Sequence, residues 1–130
     1  MRWNRAFRWT WLGFMGLLAA ASATRAADQW WDTSNASGLT PGSNLWDTST
    51  AAWAMNSSPG TAVPVAWTNG NNAWFSAGAS TATVNGVSAN VVTIGSGANL
   101  FQSGTGPLAL SGGISNNAGN TTQTILTPWR

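Results

Sequence analysis

Residues 48–129 carry no charged side chain. Soluble domains ordinarily have about a quarter of their residues charged, so the surface of this stretch must be solvated by hydroxyls and amides. Chains that stay unfolded are typically rich in charge and Pro. Here, instead, short clusters of β-branched residues recur between Gly and Asn. No segment after residue 30 sets apolar residues at helical spacing among the usual helix formers. The pattern therefore predicts an all-β fold, with short strands at 61–67, 81–84, 90–94, 107–110 and 122–126. Between them lie Asn69-Gly70, Asn85-Gly86, Gly95 to Gly97, Gly104 to Gly106, Gly112-Gly113 and Asn116 to Asn120. Asn-Gly supplies the positive φ that tight β turns require. The 81–84 segment has one large apolar residue, Val84, and is predicted to be an edge strand.

Two architectures fit such strands. Val92-Thr93-Ile94, Leu108-Ala109-Leu110 and Thr124-Ile125-Leu126 follow one another at a spacing of 16 residues. Short strands joined by Gly/Asn-rich connections at near-constant spacing suit one face of a parallel β-helix, a solenoid whose coils bury their inward side chains only by stacking. The alternative is a β-sandwich, whose turns recur every 8–12 residues. Asn85-Gly86 is the strongest hairpin signal and favours the sandwich; the strand spacing favours the solenoid.

Seven tryptophans follow residue 26: Trp30, Trp31, Trp46, Trp53, Trp67, Trp74 and Trp129. Trp31-Asp32-Thr33-Ser34 repeats as Trp46-Asp47-Thr48-Ser49, where an Asp before Thr and Ser favours an Asx turn. In one reading Trp46, Trp53, Trp67 and Trp74 form an exposed platform that stacks on the sugar rings of a polysaccharide. In the other the indoles cap the end of a β stack, which would otherwise leave edge and core open to water. Their concentration in the N-terminal half favours the cap. Asp32 and Asp47 read as turn carboxylates rather than a glycosidase pair, because no Glu, His or Tyr stands by to assist. Asn35-Ala36-Ser37, Asn56-Ser57-Ser58 and Asn120-Thr121-Thr122 have the form of glycosylation sequons.

Several function classes are excluded by what is missing. The chain has no His, Cys, Lys, Glu or Tyr, so the usual general bases and activated nucleophiles are absent. Zinc ligands are likewise lacking, and the three Asp do not alternate as a calcium loop requires. We expect no enzymatic activity, no cofactor and no metal. Residues 1–26 have the grammar of a secretory signal. Arg2, Arg5 and Arg8 precede an uncharged apolar run at 9–21, with small residues at Ala21-Ser22-Ala23 and Thr24-Arg25-Ala26. That run falls short of the roughly 20 residues needed to span a bilayer. Without residues 1–26 only Arg130 remains against Asp28, Asp32 and Asp47, so the mature chain is acidic and nucleic acid is an unlikely partner. No membrane association is expected after cleavage.

The run from Trp46-Asp47-Thr48-Ser49 through Trp53 to Trp74-Phe75 resembles the opening of bacterial proteins with autotransporter-associated β-strand repeats. Leu108-Ala109-Leu110-Ser111-Gly112-Gly113-Ile114-Ser115-Asn116-Asn117, with Asn120, Gln123, Thr124 and Ile125, is similar to their repeat text. The resemblance covers residues 28–126. It implies a signal peptide (1–26), a Trp-rich N-terminal cap region (27–80) and coils of a right-handed parallel β-helix (81–130), displayed at the outer-membrane surface or released outside the cell. It implies no catalytic residues; members are mostly passengers and adhesins. The chain departs from the family in lacking a C-terminal translocator barrel, and Thr127-Pro128-Trp129-Arg130 stands where another coil is expected. That points to a truncated product or a piece of a longer passenger. A non-enzymatic structural or interaction role is the first expectation, and a carbohydrate-binding module the second. If the leader is processed, N-terminal sequencing of the exported chain will begin at Thr24 or Ala27; an exported chain still beginning at Met1 would contradict this.

Overall fold

A computed structural model of the chain describes residues 25–119 and 123–126. The first 24 residues of the leader, the third sequon, Thr122 and the 127–130 segment lie outside them. Among the described residues the structure is all-β. The strands are β1 (Asp28–Trp31), β2 (Ser43–Trp46), β3 (Ala51–Ala54), β4 (Val65–Ala66), β5 (Asn72–Phe75), β6 (Ser80–Ile94), β7 (Asn99–Asn116) and β8 (Thr124–Ile125). They form one mixed sheet that does not close, rather than the two facing sheets of a sandwich.

Parallel pairing dominates. β1 pairs with β5, β5 with the end of β6, β2 with the start of β6, β6 with β7, and β7 with β8, all parallel. Only β3 and β4 run antiparallel, on the far side of β1. The sheet passes unbroken through residues 80–81, because β6 joins β2 and β5 from the N-terminal part to β7 from the C-terminal part. Parallel pairing in register brings like positions together. Gln29, Ala73 and Val92 form one inward row, and Trp31, Phe75 and Ile94 the next; all six are buried. The alternation of inward and outward residues along β6 is the period of two that a strand imposes.

The two long strands are each bent at the same two places. Register between β6 and β7 shifts between Val84 and Asn85, and again between Ala89 and Val91. Asn85-Gly86 is the first of these bends, not the expected hairpin. Gly86 does take a positive φ of 69°, but the chain continues in the same sheet instead of reversing. The Asn85 Oδ1 accepts the N–H of Thr105 on the neighbouring strand, so the side chain holds one bend against the next. A Cβ on Gly106 would lie 2.7 Å from the Gly86 Cα, far inside ordinary contact.

Two other expectations are corrected by the register. The 81–84 segment is not an edge, since β2 lies on one side and β7 on the other. Its inward residues are small because their row neighbours are large: Ala82 pairs with Phe101 and Val84 with Trp46. The 16-residue spacing is not the stacking repeat either. Thr81 pairs with Leu100, Val87 with Leu108 and Val92 with Ile114, and Thr124-Ile125 pairs with Leu100-Phe101 rather than with 108–110. β7 places extra residues at both bends, in its glycine-rich stretches, so the offset grows along the strand. The predicted strand at 61–67 shrinks to β4, while 90–94 and 107–110 lie inside β6 and β7.

Gly97 sits at the turn between β6 and β7 with a φ of 70°, and a Cβ there would collide with the backbone of Gly78 and Ala79. Gly97→Ala will destabilise the fold by about 2 kcal/mol or more, from backbone strain and overlap together. Gly38, at a φ of 83° but with open space around it, will lose only the left-handed penalty of about 1 kcal/mol on the same change. Urea midpoints of the two variants measure the difference.

Candidate functional site

The aromatic residues divide into an inner cluster and an outer pair, and strand alternation decides which is which. Trp30 and Trp31 are consecutive in β1 and must point to opposite faces; so must Trp74 and Phe75 in β5. Trp31 and Phe75 go inward and stack at 5.3 Å between ring centroids. Trp46 stands among them, 5.1 Å from Trp53, 5.2 Å from Trp67, 5.7 Å from Phe75 and 6.3 Å from Phe101. Trp53 and Trp67 meet at 4.5 Å. Most of these contacts are tilted or edge-to-face, the arrangements that aromatic quadrupoles prefer.

Of the four tryptophans proposed as a sugar platform, three cannot present a ring to a ligand. Trp46, Trp53 and Trp67 are 0%, 0% and 2% exposed. The Trp67 Nε1 donates to the Ser88 carbonyl at 3.0 Å, and the Trp31 Nε1 to that of Gly42 at 3.2 Å. The Nε1 atoms of Trp46 and Trp53 are buried without a partner among the described residues. The Trp-Asp-Thr-Ser repeat has a structural explanation: each Trp enters the cluster and each Asp closes the turn behind it. Asp47 Oδ1 accepts the N–H groups of Ser49 and Thr50. Asp32, fully buried, accepts the Thr40 N–H at 3.0 Å, and its contact to the Ser34 N–H is longer at 3.4 Å.

Only Trp74 of the four faces outward. It is half-buried, and its ring stacks on that of Trp30, with centroids 6.2 Å apart and planes 17° from parallel. Beside this pair runs a hydrogen-bonded ladder of side chains. Asn72 Nδ2 donates to Asp28 Oδ1 at 2.8 Å, Asn90 Nδ2 to Asn72 Oδ1 at 2.8 Å, and the Ser111 hydroxyl to Asn90 Oδ1 at 3.1 Å. The ladder crosses β1, β5, β6 and β7, one side chain on each. Two open hollows flank it, of about 290 and 600 Å³. The smaller is walled by Asn72, Trp74, Asn90, Val91 and Thr93, the larger by the 68–71 turn, Asn90 and Ser111; Arg25 and Ala26 contribute to both.

Trp30 and the ladder were not among the residues singled out from sequence. The Trp30-Trp31 dipeptide carried the signal for the first, because neighbours in a strand cannot both be inside. The ladder had no comparable signal, since its members come together only through the register. On the inner side, Gln29 is fully buried and fully used: its Nε2 donates to the Ala66 carbonyl, and its Oε1 accepts from the Thr68 N–H and the Asn71 amide. It ties β1 to the 66–71 turn that walls the larger hollow. Among the described residues no three His, Cys, Asp or Glu side chains come together around a common point. The outer surface thus offers rings, amides and hydroxyls, with Asp28 and Arg25 its nearest charges.

Comparison of the chain with family models, curated proteins and solved structures gave no match.

Trp46→Ala will remove the ring on which the inner cluster converges and lower stability by about 3–5 kcal/mol, read from the urea midpoint. Asp47 supplies a pH-dependent contribution. Its slight burial pushes the carboxyl up, but the N–H and hydroxyl bonds from Thr50 and Ser49 outweigh this and hold it below its ordinary value of 3.8. A carboxylate with a folded pKa below its unfolded one stabilises the fold above the unfolded value, and that contribution disappears as pH falls through the folded value. Asp47→Asn will therefore lower the urea midpoint at pH 7, and its difference from the parent chain will shrink by pH 3.

Proposed function

We propose that this chain is a non-enzymatic, exported structural and interaction protein: the capped N-terminal end of a right-handed parallel β-helix displayed at the cell surface, in the manner of an adhesin passenger. The observation that carries this reading is the in-register parallel pairing of two long strands bent at matching places. Successive turns of a solenoid coil would stack in this way, with β6 and β7 as consecutive coils and β2 and β5 as parts of the coil before them. A solenoid buries its inward rows only where another coil covers them. The graded burial along the rows fits that. Val92 is fully buried, while its row neighbour Ile114 in β7 is 40% exposed.

At the other end the aromatic cluster and the antiparallel β3–β4 pair stand where a preceding coil would lie. Trp53 on β3 and Trp67 just after β4 supply apolar cover that a β coil would otherwise supply, which is the role of a terminal cap. The leader grammar of residues 1–26 supports export, and the resemblance to autotransporter-associated β-strand repeats supports surface display. The lack of His, Glu, Lys and Cys supports a role without catalysis.

The test is protease treatment of intact producing cells, followed by immunoblotting for the chain. Surface display predicts that the protease removes or trims the chain without lysis. Recovery of untouched chain from the cytosol, cleaved only after lysis, would overturn the reading.

A further inference from the structure

We propose that the outward face of β1, β5 and β6 binds a neutral polysaccharide chain, held against the Trp74 ring and the Asp28–Asn72–Asn90–Ser111 ladder. This is independent of the passenger reading, since the same surface would bind in the same way on an isolated domain. It also uses different residues from the buried indoles of the inner cluster.

Three features of the surface select this ligand. The first is chemical type. An indole standing out from a sheet beside fixed amides and hydroxyls offers an apolar plane for the C–H face of a sugar and polar groups for its hydroxyls, the mixture typical of small-molecule sites. An amide nitrogen carries two hydrogens, and Asn72 and Asn90 each spend one on the ladder. Each keeps a second donor, on a side chain whose rotamer the ladder already holds, so binding sacrifices little side-chain freedom. The second is shape. The two hollows share Arg25, Ala26 and Asn90 in their walls and together run across several strands, a length suited to several linked rings rather than one. The third is charge. Asp28 is engaged at one end of the ladder, and Arg25 is the only cation near it. No residue from 48 to 129 is charged, so nothing draws in a polyanion.

Processing of the leader bears directly on this surface. Asn72 N–H donates to the Ala27 carbonyl, and the Ala27 N–H to Asn71 Oδ1 at 3.2 Å. The chain is thus anchored from Ala27 onward. Cleavage after Ala26 would remove Arg25 and Ala26, the wall common to both hollows, and with them the cation. The bound surface would then be a longer, uncharged groove.

Affinity electrophoresis tests the proposal. The purified full chain is run through native gels containing hydroxyethyl cellulose, mannan or dextran, with polygalacturonate as the anionic control. Retardation is expected in at least one neutral gel and not in the anionic one. Trp74→Ala should weaken it about tenfold, the scale of one aromatic contact. Val91→Lys, which fills the smaller hollow and leaves both rings in place, should abolish retardation with the urea midpoint of the parent chain; it decides the matter if Trp74→Ala does not fold. Unretarded migration in all three neutral gels, retardation in polygalacturonate alone, or neutral retardation that Val91→Lys leaves intact would overturn the proposal.

Discussion

Parallel strands stacked in register cannot bury their own inward side chains; each row is covered only by the row beside it. That constraint organises the molecule. In the middle of the sheet Ala73, Val92, Phe75 and Ile94 cover one another and are buried. At the β1 end the neighbouring strand is the short antiparallel β3, which offers little area, and the chain compensates with ring size. Trp31, Trp46, Trp53 and Trp67 converge there with Phe75 and Phe101. Fully burying one large apolar side chain stabilises by about 1.5–3 kcal/mol, so a few indoles replace the cover of a whole coil. Two of those rings bury an unpartnered Nε1, a sign that apolar contact outweighs hydrogen bonding in this cluster.

A surface without charge must be held by neutral polar groups, and the register makes this economical. Where like residues stack, an amide can donate to one neighbour and accept from the other, as Asn72 does between Asp28 and Asn90. The bends use the same device. Asn69 Oδ1 accepts the Ser88 N–H, and Asn85 Oδ1 that of Thr105, each bridging adjacent strands. Asn and Gly therefore have paired tasks: Gly allows the close approach of successive bends, and Asn satisfies the backbone groups that the bend leaves without a ladder partner.

Much of this was legible in the sequence, and the failures have a common cause. The all-β class followed from β-branched clusters and turn residues, which are local signals. The inward role of Trp46 and Trp53 followed from their position near the N-terminal end. Register was not legible. Apolar triplets at 92–94 and 108–110 look like equivalent positions, yet they sit at different places around the bends, because the glycines of β7 lengthen one strand against its neighbour. Val84 looked too isolated for an interior strand because its large partner, Trp46, lies 38 residues earlier in the chain. Asn85-Gly86 looked like a hairpin because positive φ is needed in a bend as well as in a reversal. The outer ladder depends on register alone and had no local signature at all.

Register is therefore the claim on which the account stands, and the absence of cysteine from the chain makes it directly measurable. Neighbouring parallel residues lie within the Cα separation that a disulfide spans, about 4.4–6.8 Å. The double variant Thr83→Cys/Gln102→Cys joins two outward partners of β6 and β7, whereas Thr93→Cys/Ala109→Cys joins residues at the 16-residue spacing. The account predicts that mild oxidation closes an intramolecular disulfide in the first and leaves free thiols in the second, as counted by mass spectrometry after alkylation. Closure of the second and not the first would contradict it.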